Sequence, residues 1–244
     1  MSDKILDIFS QYELKARIFP GLITIAPFSL TILIWYPELI SFESSFITIF
    51  ILIIILFFLA KVARERGKKL QTQLLKEWGD FPSVIFLSHT DNTINNQTKK
   101  RYHNFLNEHI DELNLPNKKE EIKNPALYRE QYKSAVDWLL EKTRDNTKYS
   151  LLYQDNINYG FSRNMLGIKP FGIFFAMFSL AIDLFGLYQS HSFNLLESPL
   201  KVIISIFLSV FFSLLWLFFV RKKWVESTSR TYARTLLATC EKIT

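Results

Sequence analysis

Apolar positions in this chain are gathered into four long runs in two pairs, Ile18–Tyr36 and Phe46–Ala60, then Pro170–Tyr188 and Val202–Val220. Each approaches the roughly 20 residues that, at about 1.5 Å per residue, cross a hydrocarbon core of about 30 Å. The second run is short; it gains length from Ser44 and Ser45 before it and Val62 and Ala63 after it. Residues 51–59 read ILIIILFFL, apolar on every face of a helix, whereas a soluble domain spaces such residues at helical or strand period. In water a surface of that kind drives aggregation. The pattern predicts an all-α membrane protein. Its four transmembrane helices form two hairpins, residues 18–60 and 170–220, with a mostly helical cytosolic domain, residues 61–169, inserted between them. A cytosolic amphipathic segment, residues 1–17, precedes the first hairpin, and a cytosolic helix, residues 221–244, follows the second.

The mean hydropathy of +0.10 is too low for a wholly embedded chain, and the polar middle accounts for it. Orientation follows from where Lys and Arg fall. Lys4, Lys15 and Arg17 precede the first run, KVARERGKK follows the second, Arg163 and Lys169 precede the third, and RKK follows the fourth. The connection PELISFESS holds no basic residue, and QSHSFNLLESPL reaches Lys201 only at its end. The positive-inside rule then places both termini and the middle domain in the cytoplasm. Trp35, Tyr36 and Tyr188 fall where an outer aromatic belt is expected. A single cysteine, Cys240, excludes an intrachain disulfide, and the N-terminus lacks the pattern of a cleaved signal peptide. KARIFPG leads into the first hairpin and GIKPFG into the second, and each hairpin ends in a basic exit. A parallel repeat is one account; the basic side common to any two hairpins is the other.

Polar residues inside the runs bear on mechanism. In the third, Gly172, Ala176, Ser179, Asp183, Gly186 and Ser190 follow steps of three and four. In the fourth, Ser205, Ser209 and Ser213 recur every fourth residue. The first carries Pro20 and Pro27, which usually kink a helix, with Thr24 and Thr31. Small-residue stripes pack helices closely in lipid, so that role stands beside a pore lining. Asp183 is harder to dismiss, because a charge at the bilayer centre costs about 2.5–3.5 kcal/mol on insertion scales. It either snorkels to the outer interface or joins carboxylates of other subunits at the mouth of a cation pore. The expected pore-lining set is Ser179, Asp183, Ser205, Ser209 and Ser213.

The middle domain begins by extending the second span through Leu70, Leu74 and Trp78, which WGDFP interrupts. SVIFLS is a short strand or a buried turn, and a helix follows with Tyr102, Phe105, Leu106, His109 and Leu113 on one face. NLPNKKEEIKNP has the composition of an exposed linker. Asn124 before Pro125 predicts an N-cap, and the helix after it should bury Tyr128, Tyr132, Ala135, Val136 and Leu139. The four histidines show no metal-ligand spacing, and no phosphate loop, HExxH or GxSxG occurs, so the expectation is a non-enzyme with no metal and no cofactor.

Binding remains. Lys99, Lys100 and Arg101, with Arg129, Lys133, Arg144, Lys148 and Arg163, interleave with Tyr102, Tyr128, Tyr132, Tyr149, Tyr153 and Tyr159. Basic groups beside aromatic faces suit a phosphate backbone with stacked bases, although lysines on solvated faces are ordinary. From this set Arg101, Arg144 and Arg163 are the expected anion contacts, with Tyr102 and Tyr159 for stacking.

The runs KARIFPGLITIAP, KEWGDFPS, RYHNFL, AVDWLLEKTRDNTKY and NINYGFSRNMLGIKPFG cover much of the chain. In them it resembles bacterial four-span membrane effectors of Hailong-type antiphage defence, encoded beside a nucleotidyltransferase. The resemblance implies an inner-membrane oligomeric ion channel. It further implies gating by a DNA oligomer or nucleotide from the partner enzyme, with depolarisation and growth arrest or death of the infected cell. Independently, one four-helix subunit has too few polar faces to line a water-filled path. The stripes of the third and fourth runs are therefore expected to meet across the symmetric axis of a homo-oligomer of about three to six chains. The alternative is a small membrane transporter or a non-conducting scaffold. Membrane lipid is the other partner implied.

Overall fold

A computed structural model describes residues 10–40, 42–191, 194 and 198–243. Most of the expected N-terminal segment and of the connection after His191 lies outside the described residues. Among those described the chain is helical, without a strand. Its helices are α1 (Glu13–Trp35), α2 (Phe42–Trp78), α3 (Pro82–Leu87), α4 (Asn96–His109), α5 (Lys118–Lys123), α6 (Pro125–Lys142), α7 (Ser150–His191), α8 (Leu200–Phe219) and α9 (Lys222–Leu237). Four of them, α1, α2, α7 and α8, are long and apolar enough to cross a membrane. The first turns of α1 (Glu13–Ile18) and the last of α8 (Leu215–Phe219) are wound as π-helix.

Contacts divide the chain into two compact units, residues 1–71 with 160–225, and residues 72–159 with 226–244. The boundaries fall inside α2 and α7, so neither helix ends where its apolar run does. Pro170, expected to open a span, sits in the interior of the 42-residue helix α7.

In the first unit α1 and α7 run side by side in the same direction. Phe28 lies 5.7 Å from Phe175 and 5.8 Å from Phe178 between ring centres. The core gathers Ile25, Leu59, Ala63, Met165, Ile168, Ala176, Trp216 and Val220. Helices α2 and α7 cross where neither has a side chain: a Cβ at Gly167 would lie 2.5 Å from the Gly67 nitrogen. Backbone cannot move aside as a side chain can, so this crossing needs glycine.

The second unit packs α3, α4, α6 and α9 around Phe86, Leu87, Leu106, Ala135, Leu139, Leu236 and Leu237. SVIFL falls within helix α3, with Ser88 as its C-cap, not in a strand or turn: Pro82 fits a first helical position and the Phe81 carbonyl accepts from Val84 and Ile85. The segment expected as a linker contains α5, started by a capping box in which Asn117 and Glu120 bond each other's backbone N–H. As expected, Asn124 caps α6 by accepting from Leu127 N–H, and α6 buries Tyr132, Ala135, Val136 and Leu139, with Tyr128 half-buried. Cys240 is buried in this core, and burial pushes its thiol up to about 12.

Candidate functional site

The first unit encloses a charge. Asp183, about two-thirds of the way along the apolar part of α7, is 0% exposed. Two helices supply its hydrogen-bond donors. Ser205 Oγ of α8 donates to Oδ1 at 2.7 Å, and Ser209 Oγ, one turn on, donates to Oδ2 at 2.6 Å. From α1, Trp35 Nε1 donates to Oδ1 at 3.0 Å, and Thr31 Oγ1 reaches Oδ2 at 3.4 Å. Thr31 also lies 3.3 Å from Ser205 Oγ, so its single proton serves one oxygen or the other.

The spacing of these residues brings them together. Ser205 and Ser209 are four apart on α8, as are Thr31 and Trp35 on α1, so each pair occupies one face at successive turns. Gly186, one turn beyond Asp183, leaves the floor on which the Trp35 ring rests, since a Cβ there would sit 2.6 Å from two ring carbons. Without that gap the indole could not lie flat with its N–H on the carboxylate.

A carboxylate accepts about four hydrogen bonds, and this one has four donor groups within reach, Thr31 being shared with Ser205, and no counter-ion among the described residues. Charge-assisted bonds of this kind are short and contribute about 1.5–3 kcal/mol each, the order of the cost of holding a charge in lipid. The same hydroxyls, turned about, present oxygens. Two carboxylate oxygens and three hydroxyl oxygens make an all-oxygen set of the type that hard cations prefer.

All five expected pore residues are buried in this interior, in two groups. Asp183, Ser205 and Ser209 form the cluster. Ser179 and Ser213 bond the carbonyls one turn back, Phe175 and Ser209, each at 2.7 Å. The stripes expected to meet across a symmetry axis meet inside one chain. Thr31 and Trp35 complete the site; Trp35 was expected in an aromatic belt, and Thr31 had no expected role.

The five expected ligand residues do not gather on one open surface. Arg101, on α4, is half-exposed and ion-paired with Glu241 at 2.7 Å. Arg144 is exposed and paired with Glu141 at 2.6 Å. It borders a cavity of about 220 Å³ lined also by Asn146, Tyr153, Asn156 and Tyr232. Tyr102 and Tyr159 are buried, Tyr159 stacked on Tyr232 at 6.3 Å. Arg163 belongs to the first unit, where it is buried and donates to Gln71 Oε1 at 2.6 Å.

A second polar cluster lies within the second unit. Lys99 is buried, its Nζ donating to the carbonyls of Ser88 and Asp91, and burial pushes its pKa down. Glu121 of α5 accepts from Ser88 Oγ, His89 N–H and Tyr132 Oη. Burial holds the Tyr132 hydroxyl protonated well above its ordinary range, with Glu121 adding to the effect. Burial would raise Asp80, but Arg129, the Phe81 N–H and Lys133 outweigh it and hold the carboxyl below its usual value. Asp80, Glu121, Arg129 and Tyr132 border a mainly apolar cavity of about 290 Å³. No group of His, Cys, Asp and Glu among the described residues is arranged to hold a metal ion.

No family model, curated protein or solved structure matches this chain.

Proposed function

We propose that this protein is a gated cation channel of the inner membrane, in which the Asp183 carboxylate is the site that ions meet. The observation that carries the reading is the complete burial of Asp183 among three hydroxyls and one indole N–H. An ionisable group inside a span is costly and is usually kept for a pathway. In the described state the hydroxyls donate to the carboxylate and close it. Conduction requires them to turn their oxygens to a passing cation.

The remaining architecture belongs to the same proposal. The four spans form two hairpins, the second unit lies in the cytoplasm by the placement of Lys and Arg, and about three to six chains assemble around an axis. Likeness to Hailong-type effectors supplies the control: a DNA oligomer or nucleotide from a partner nucleotidyltransferase acts on the cytosolic unit, and opening depolarises the infected cell.

Planar-bilayer recording of the purified protein in asymmetric potassium chloride tests this reading. Cation-selective unitary currents are expected, and Asp183→Asn should move the reversal potential towards zero. Absence of currents from wild type, or an unchanged reversal potential in the variant, would overturn it. The enclosure of the cage within a single chain favours a second reading, a carrier with an occluded cation. Saturable cation uptake into vesicles without unitary steps would select that one.

A further inference from the structure

Where α1 and α2 leave their apolar stretches, a cavity of about 190 Å³ opens between Glu13, Arg17 and Ile18 on one side and Phe57, Ala60, Lys61 and Arg64 on the other. It lies within the first unit, apart from the Asp183 cage. Three cations face one carboxylate there. Glu13 is already committed, accepting from Arg17 Nη1 at 2.8 Å. Lys61 and Arg64 are exposed and have no hydrogen-bond or ion-pair partner among the described residues. The cavity therefore holds an excess of two positive charges, with the ammonium and guanidinium of α2 one turn apart on the same face.

The wall above those charges is apolar and continues into the span. Phe57 is one turn from Lys61, and Phe50, Ile53 and Ile54 continue that side of α2 away from the charges, all exposed. On α1, Phe19 and Leu22 are exposed next to Arg17 and Ile18. An occupant must bear a negative head between Lys61, Arg64 and Arg17 and an apolar tail along Phe57 and Ile53. A soluble anion meets only the first demand and a neutral lipid only the second. We propose that this cavity holds the head group of an acidic membrane phospholipid, its phosphate against Lys61 and Arg64 and an acyl chain along the exposed side of α2. A zwitterionic head group brings its own cation and so gains less from the excess charge.

Native mass spectrometry of the full-length protein in mild detergent tests the proposal, with phosphatidylglycerol and phosphatidylcholine added in equal amounts. Phosphatidylglycerol adducts should dominate. Lys61→Gln and Arg64→Gln should each weaken them about fivefold, the loss expected for one basic residue at an acidic surface. Lys61→Arg should retain them, which separates lost charge from lost fold, and Lys118→Gln in the second unit should leave them unchanged. Equal adducts of the two lipids would overturn the proposal, as would full phosphatidylglycerol binding by the Gln variants. Displacement of the lipid by soluble glycerol phosphate would also overturn it, by showing a site for a free anion.

Discussion

The indole of Trp35 donates to Oδ1 of Asp183 at 3.0 Å, tying α1 to α7 through a charge buried in the apolar bundle. A tryptophan near a span end ordinarily anchors the helix in the head-group layer. Here its N–H turns inward and satisfies a carboxylate that would otherwise be short of a donor.

Trp35→Phe removes that donor and keeps most of the ring. In a double-mutant cycle with Asp183→Asn, the coupling should be about 1–2 kcal/mol, above the roughly 0.6 kcal/mol typical of interhelical hydrogen bonds in lipid, because the acceptor is charged. Reversible unfolding in mixed micelles measures it. A coupling near zero would mean the bond adds nothing beyond packing.

Gly186→Ala places a methyl where the Trp35 ring lies, 2.6 Å from two of its carbons. Overpacking of this kind costs about 1–3 kcal/mol. Combining Gly186→Ala with Trp35→Ala should restore part of the loss, since the clash then has no partner. If the glycine served only helix flexibility, the second substitution would rescue nothing, and thermal unfolding of the pair decides.

Ser205→Ala and Ser209→Ala each remove a short bond to the carboxylate, and each should lower stability by about 1–2 kcal/mol. The two losses should not add. The two hydroxyls serve the same carboxylate, so their effects couple and the double variant falls short of the sum. Full additivity in unfolding free energies would show two independent packing positions. Ser209→Leu puts a branched side chain against Asp183 and should disrupt the bundle itself.

The four spans were legible because lipid imposes one demand, length with an apolar surface, that a run such as ILIIILFFL meets openly. Asp183 was legible as a charge out of place. Its α1 partners were not, because nothing in the periodicity of α1 sets the height at which Thr31 and Trp35 meet α7. Packing fixes that height, and the Gly186 floor is one cause. SVIFLS could not be assigned, since a six-residue apolar run has no period long enough to separate helix from strand. The capping box of α5 is written in NKKE, but the charged composition around it suits an exposed linker equally well. That Glu121 turns inward to three donors is a tertiary fact with no sequence signal.

The pH dependence of the second unit should follow His103. The ring is buried, with Nε2 2.8 Å from the Leu87 carbonyl, the His89 ring 4.9 Å away and Tyr132 at 5.7 Å. Burial lowers its pKa to about 4, with His89 and Lys99 opposing a further charge and the Leu87 carbonyl and Glu121 partly compensating. A base whose folded pKa lies below its unfolded value binds more protons when unfolded, so stability rises with pH between the two. The contribution is complete above the ordinary value of 6.5 and is lost as pH falls towards about 4. The span corresponds to about 3 kcal/mol at most. Asp80 is lost later, since its lowered carboxyl keeps its stabilising charge until pH falls below the ordinary 3.8. Thermal unfolding of the purified protein across this window should show a falling midpoint on acidification, and His103→Gln should flatten it. A slope identical to wild type would assign the acid sensitivity to other groups.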